Sequence, residues 1–310
     1  MGFKYVNSNS RKKILIEKPS IVSWRSKYLK AVQYHRAQNK NIIYVGEMWV
    51  DNSLNFSKCW RTEEFLGVLQ NKSSHRLIIV HAGGKSGFLN GAGLVFKSPT
   101  TNGDYHGQLN AVNFEKWIRQ KLLPNVPPNS VIVMENSPYH GVESNKPPSK
   151  YSMRKDMIQW LAENNIPYTK TMRNHELSTL VQQHKKSEKT YQIDELIKQH
   201  GHEVLRLPPH MCVLNPIELA WAEVKQKIRE KNTSSTLSIG ELEIFVRQII
   251  QEVTPVGWEN FCAHVEKIEQ EYWKKDGLLE DVMDNLTMEL ESSGSDDLDE
   301  SDDSTSSEDL

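Results

Sequence analysis

Cysteine is scarce in this chain of 310 residues. Cys59, Cys212 and Cys262 are far apart, odd in number and free of any CxxC pair. That spacing excludes a disulfide framework and a cysteine zinc site, and it suits a reducing compartment. Long apolar runs are also missing: no stretch reaches membrane-spanning length, and the N-terminus lacks the apolar core of a signal peptide. No internal repeat is present. Basic residues are absent from the C-terminal end. Residues 291–310 hold nine acids and no Lys or Arg, which leaves 31 acids against 38 bases in the rest of the chain. The net charge of −2 thus hides a basic body with an acidic tail, and a basic body is compatible with a nucleic-acid partner.

What is present reads as alternating strands and helices. Residues 1–40 form a basic linker and a helix. Arg11-Lys12-Lys13 is either a solvated run or a weak nuclear-import and phosphate patch. Ser20 is the expected cap of a helix carrying Ile21, Trp24, Tyr28, Val32 and His35 on one side. Asn41–Val50 is β-branched and aromatic and predicts a strand, as do Arg76–His81 and Ala92–Lys97. Between the last two lies AGGKSGFLNG. Its Gly84-Lys85-Ser86 suggests a phosphate loop, but the glycine required five places earlier is Ile79 and no helix pattern follows, so it reads as a hairpin loop.

Asn113 is expected to open a helix with Phe114, Trp117, Ile118 and Leu122. Ser130–Met134 is a continuous apolar run suited to a buried central strand, ending in Glu135-Asn136-Ser137-Pro138-Tyr139-His140. Ser152 then caps a helix, 175–184 and 190–200 are two short helices, and Glu203–Leu207 is a last strand. A capping box at Ser238 and Glu241 and a Thr254-Pro255 start announce two further helices. Beyond about Asp276 the pattern fades into Ser, Asp and Glu, a composition that buries too little apolar surface to order itself.

The most informative stretch is Leu207–Ile228. A Pro208-Pro209 loop runs into Leu214-Asn215-Pro216-Ile217-Glu218, with Asn215 as N-cap, Pro216 at the first helical position and a buried stripe of Ile217, Ala220, Trp221, Val224 and Ile228. Glu218 has two readings: a capping-box carboxylate turned back on the Asn215 N–H, or a metal ligand.

These residues resemble the third acidic motif of the Tc/mariner superfamily of DDE transposases. The resemblance covers about Met1–Trp273 and implies an α/β, ribonuclease H-like mixed sheet flanked by helices. It places the domain at 41–275, with a helical insertion of about 165–202 before the last strand and a disordered acidic tail at 276–310. It further implies three carboxylates holding Mg²⁺ or Mn²⁺, DNA as partner, a nuclear location and a capacity to form a homodimer. In-line displacement at phosphorus is served by two such ions, and hard cations take oxygen ligands.

The three positions depart from the family pattern. Where the first motif has its Asp, this chain has Gly46, within Tyr44-Val45-Gly46-Glu47-Met48-Trp49. The second motif carries Glu135, one methylene longer than Asp, and the third keeps Glu218. Glu47 is displaced by one residue, which along a strand turns a side chain to the opposite face. The resemblance therefore leaves Glu135 and Glu218 as catalytic and metal-binding candidates with the first acid missing. His140 reads as a loop histidine; His200, His202 and His210 read as surface residues; Lys225, Lys227, Arg229 and Lys231 read as a basic outer helix face. The chain also begins close to the linker, where full-length relatives carry paired helix-turn-helix modules. The leading expectation is a decayed or domesticated transposase domain that binds DNA weakly and without sequence preference. Behind it stand an active strand-transfer enzyme with an altered triad and an interaction module using the acidic tail on a basic partner.

Overall fold

The computed structural model describes residues 3–7, 13–51, 76–98, 109–185, 189–231 and 238–293. Strands β1 (Phe3–Asn7) and β2 (Lys13–Glu17) pair antiparallel. The expected basic linker is thus a β-ribbon, although Arg11 and Lys12 lie outside the described residues. Helix α1 (Pro19–Ala37) follows, with Pro19 rather than Ser20 at its opening. Proline suits that first position because its missing N–H would have had no partner there.

The main sheet is built on β3 (Ile42–Asp51) and β4 (Arg76–Gly84). Its order is β5-β4-β3-β7-β8, with β5 (Gly87–Phe88) and β6 (Leu94–Ser98) both pairing with β4. β3 runs antiparallel to β4; β7 (Val131–Met134) and β8 (Glu203–Arg206) run parallel to β3. The glycine-rich stretch becomes a tight turn at Lys85-Ser86 that sends β4 back as β5, and Gly87 takes a φ of +106° that suits it to glycine.

Period-two alternation sends side chains of β3 to two cores. Tyr44, Met48 and Val50 join α1, α6 (Pro216–Lys231), α7 (Ile239–Gln251) and α8 (Pro255–Ser293) on one face. Ile43 and Val45 join α2 (Ala111–Trp117) and α5 (Gln192–Gln199) on the other. Gly83 admits the Trp258 ring, since a Cβ there would fall 2.4 Å from it. α2 starts at an Asn110 cap, three residues before the expected Asn113, because the Asn110 side chain accepts from the Asn113 N–H.

Two boundaries shift. The expected insertion of 165–202 divides: α4 (Asn174–His184) packs on α3 (Arg154–Glu163) in a separate small core of Met157, Trp160, Leu161, Leu177 and Val181, whereas α5 belongs to the sheet. The expected tail at 276–310 also starts too early. α8 continues to Ser293, and Asp276 is buried against the fully buried Arg25 guanidinium at 2.6 Å, which also holds Glu17 at 2.7 Å. A pair of opposite charges removed from water needs this many hydrogen bonds to persist. The acidic residues 294–310 and Cys59 lie outside the described residues.

Candidate active site

Residues 46, 135 and 218 meet where β3, the end of β7 and the first turn of α6 converge. The parallel register ends with Tyr44 opposite Val133, so position 46 and Glu135 each lie two residues beyond that last pair. Tyr44 and Val133 lie in the same core, and along β3 the alternation puts position 46 on that face as well, while Glu135 follows the last residue of β7 and its charge acts on Glu218. From the helix side, a Cβ at Gly46 would point at Glu218, 3.6 Å from Oε1. The same Cβ would fall 3.3 Å from the indole nitrogen of Trp221 and only 2.4 Å from Cγ2 of Ile217. α6 therefore lies so close to β3 that glycine alone fits without movement.

The opening of α6 is set differently from the capping-box reading. The Asn215 N–H donates to the Cys212 carbonyl, and the Glu218 N–H donates to the Asn215 carbonyl. The Asn215 side chain turns to β3, its amide donating to the Val45 carbonyl at 3.2 Å. Asn215 thus ties the helix to the strand, and the Glu218 carboxylate is left facing the site. At β7, the loop after Met134 is pinned to the sheet by the Leu207 N–H donating to the Met134 carbonyl and by the Asn136 amide donating to the Leu207 carbonyl at 2.5 Å.

The electrostatics are those of acids crowded together. Burial, then the Glu135 charge, pushes the Glu218 carboxyl up to about 7; Lys225 opposes the shift and Glu47 adds to it. Glu135 is also raised, by burial first and then by Glu47, while Asn215 and His140 pull it down. The thiol of Cys212, an exposed residue, is pushed up by partial burial and next by the Glu135 charge, with Glu218 adding to it. Three buried polar atoms here have no hydrogen-bond partner: Glu135 Oε1, Asn215 Oδ1 and Trp221 Nε1.

Glu47 takes the other face of β3, with Ile43 and Val45. Its carboxylate meets His140 Nε2 at 3.0 Å, and His140 Nδ1 lies 2.8 Å from the Glu135 carbonyl. The imidazole also stacks on Phe114 with ring centroids 4.1 Å apart. His140 is thus a buried, fully engaged side chain, not an ordinary loop histidine. The pairing could not be read from residues 93 positions apart. His202 is likewise buried, its Nδ1 accepting from the Ser130 N–H at 3.3 Å; His200 and His210 are exposed.

The α6 cations divide between two faces. Lys227 meets Glu223 at 2.8 Å and the Glu252 carbonyl, and Lys231 meets Glu252 at 2.5 Å. Lys225 instead lies over the Trp49 ring, 5.9 Å from its centroid, on the side of Glu218. The expected basic outer face is partly neutralised, because two of its four cations pair with Glu223 of α6 and with Glu252 just beyond α7.

Among the described residues, no three His, Cys, Asp or Glu side chains are placed to share a metal ion. Glu135 and Glu218, with their mutual repulsion and the unpartnered Glu135 Oε1 and Asn215 Oδ1, suit one hard cation. They fall short of a two-ion set.

Residues 148–239 match the DDE superfamily endonuclease family. That stretch includes Glu218 and stops short of positions 46 and 135. Among curated proteins none matches the chain. Among solved structures the chain is similar to the Mos1 transposase paired-end complex with left transposon end, at 10% identity and a TM-score of 0.52, covering 84% of this chain and 64% of that one. It is also similar to the Mos1 strand transfer complex, at 12% identity and a TM-score of 0.50, covering 83% and 62%. The chain thus spans a little under two thirds of those proteins. At such identities the likeness is one of fold: a ribonuclease H-like mixed sheet with helices on both faces.

Proposed function

From a chain that carries the Tc/mariner type of DDE endonuclease fold, we infer a transposase catalytic domain that has kept its scaffold and DNA affinity and lost strand cleavage. The observation that carries this reading is Gly46. Like Glu135 it lies two residues beyond the last β3–β7 pair, and it faces Glu218, where a third acid would complete the set, and Ile217 fills the space a side chain there would need. The unpartnered Trp221 indole N–H borders the same spot, as an acceptor lost from position 46 would leave it.

Glu135 and Glu218 would hold a single Mg²⁺ or Mn²⁺, which would neutralise their charge. The paired ions that clamp attacking and leaving oxygens have too few donors here. Glu47 does not replace the missing acid in this reading, since it faces the other core and is committed to His140. The basic body supports DNA as the partner, and that partner supports a nuclear location for the protein.

The test is a nicking assay on supercoiled plasmid with the purified chain and millimolar Mg²⁺ or Mn²⁺, run beside a mobility-shift assay. The expected result is retarded DNA with no nicks above background. Cutting that disappears in Glu218→Ala would overturn the loss of catalysis.

A further inference from the structure

The small core of α3 and α4 stands apart from the sheet and is joined to it by a narrow neck. The Ser144 N–H donates to the Thr190 carbonyl, the two hydroxyls meet at 2.8 Å, and the Gln192 N–H donates to the Val142 carbonyl. Residues 146–185 carry seven cations against three acids, Asp156, Glu163 and Glu176. The cations gather at one end. The Arg154 guanidinium, in the first turn of α3, donates to the Met172 carbonyl and, at 2.7 Å, to the Lys170 carbonyl. This draws the loop before α4 against the start of α3 and brings Lys150, Lys155, Lys170 and Arg173 to one end of the unit. Each is exposed, and none makes an ion pair among the described residues. Glu163 lies at the opposite end of α3; Asp156 in the first turn of α3 and Glu176 in the first turn of α4, whose carboxylate accepts from the Arg173 N–H at 2.6 Å, share the cationic end, which with Arg154 carries five cations against two acids.

Apolar surface is exposed at the same end. Tyr151 is 84% exposed beneath the Lys150 ammonium, and Met153 is 66% exposed. An aromatic hydroxyl and unneutralised cations on one surface are the groups that engage phosphates and sugars.

Resting on the DNA-binding reading above, we infer that this end of the α3–α4 unit is a binding surface for the phosphate backbone of duplex DNA. Lys150, Lys155, Lys170 and Arg173 take the phosphates and Tyr151 lies against the sugar-phosphate edge. By contrast, Lys227 and Lys231 of α6 are already neutralised within the protein.

The experiment titrates the full chain with fluorescent random-sequence duplex DNA across a series of salt concentrations. It compares the wild type with a quadruple variant, Lys150→Gln, Lys155→Gln, Lys170→Gln and Arg173→Gln. A control variant removes four exposed cations elsewhere, Lys27→Gln, Lys267→Gln, Lys274→Gln and Lys275→Gln. Each phosphate contact contributes about 0.9 to the slope of log K against log salt, so the quadruple variant should lose about 3 to 4 from that slope while the control keeps it. Circular dichroism melts check that both variants stay folded. A slope unchanged in the quadruple variant, or reduced equally in the control, overturns this surface and leaves the DNA-binding reading standing. A wild type that binds no duplex, or prefers RNA, overturns the DNA-binding reading and this surface with it.

Discussion

At the residue scale the protein turns on the contact between Gly46 and Ile217. Placing an acid at 46 is not a matter of chemistry alone, because its Cβ would fall 2.4 Å from a β-branched methyl on a helix. Overpacking of this kind costs about 1–3 kcal/mol, so Gly46→Asp should lower urea stability by that order. In an Ile217→Ala background the same substitution should cost clearly less, and the coupling between the two is read by a double-mutant cycle. The same logic applies to activity. Gly46→Asp with Glu135→Asp should remain inactive, and metal-dependent nicking should appear only when Ile217→Ala is added. Activity in the double variant would show that α6 yields more readily than this contact allows. The glycine at position 46 was legible in the sequence, since it has no side chain to offer. The sequence could not show Ile217, whose role depends on how closely a helix 171 residues further on approaches a strand.

At the element scale, long apolar runs announced themselves and short polar elements did not. β3, β4 and β7 were legible because burial on both faces demands continuous apolar sequence. The β1–β2 ribbon was hidden, because five-residue runs broken by lysines carry too little pattern. The end of α8 was misplaced for a different reason: Asp276 looks like the start of a polar tail until Arg25, 251 residues earlier, is seen beside it. Removing one partner of a buried ion pair leaves the other uncompensated, at about 3–5 kcal/mol. Asp276→Ala should therefore destabilise the whole domain by that order in denaturant titration, an effect no exposed tail residue would give. The neck at Ser144 and Thr190 makes the opposite prediction for α3 and α4. Replacing residues 145–189 by a short Gly-Ser linker should preserve the far-UV spectrum of the remainder and shift its melting midpoint by only a few degrees. Those helices share a core of their own and contribute none of the sheet's. Loss of cooperative melting on excision would show that the unit supports the sheet after all.

At the scale of the whole molecule, two partly buried acids are held within reach of each other's charge, and the cost of holding them can be measured. The Glu218 carboxyl rises from an ordinary value to about 7, first through burial and then through Glu135. A group whose folded pKa lies above its unfolded one binds its proton more tightly in the native state. Its stabilising contribution is full below the ordinary carboxylate range and is lost as pH rises towards 7, after which the curve flattens. Glu135, raised in the same direction, adds to the same trend. The domain should therefore lose stability between about pH 4.5 and 7, by roughly 1–3 kcal/mol once partial solvent access is allowed for. Glu218→Gln should remove most of that slope, because an amide has no proton to lose. A divalent cation competes for the site the proton leaves, so the two effects are linked. Added Mg²⁺ or Mn²⁺ should raise the melting midpoint more at pH 8, where Glu218 is largely charged, than at pH 5.5, where it is largely protonated. The increment should be absent in Glu218→Gln and reduced in Glu135→Gln. A cation effect that survives both substitutions would come from elsewhere on the molecule and would remove the case for a retained metal position between β7 and α6.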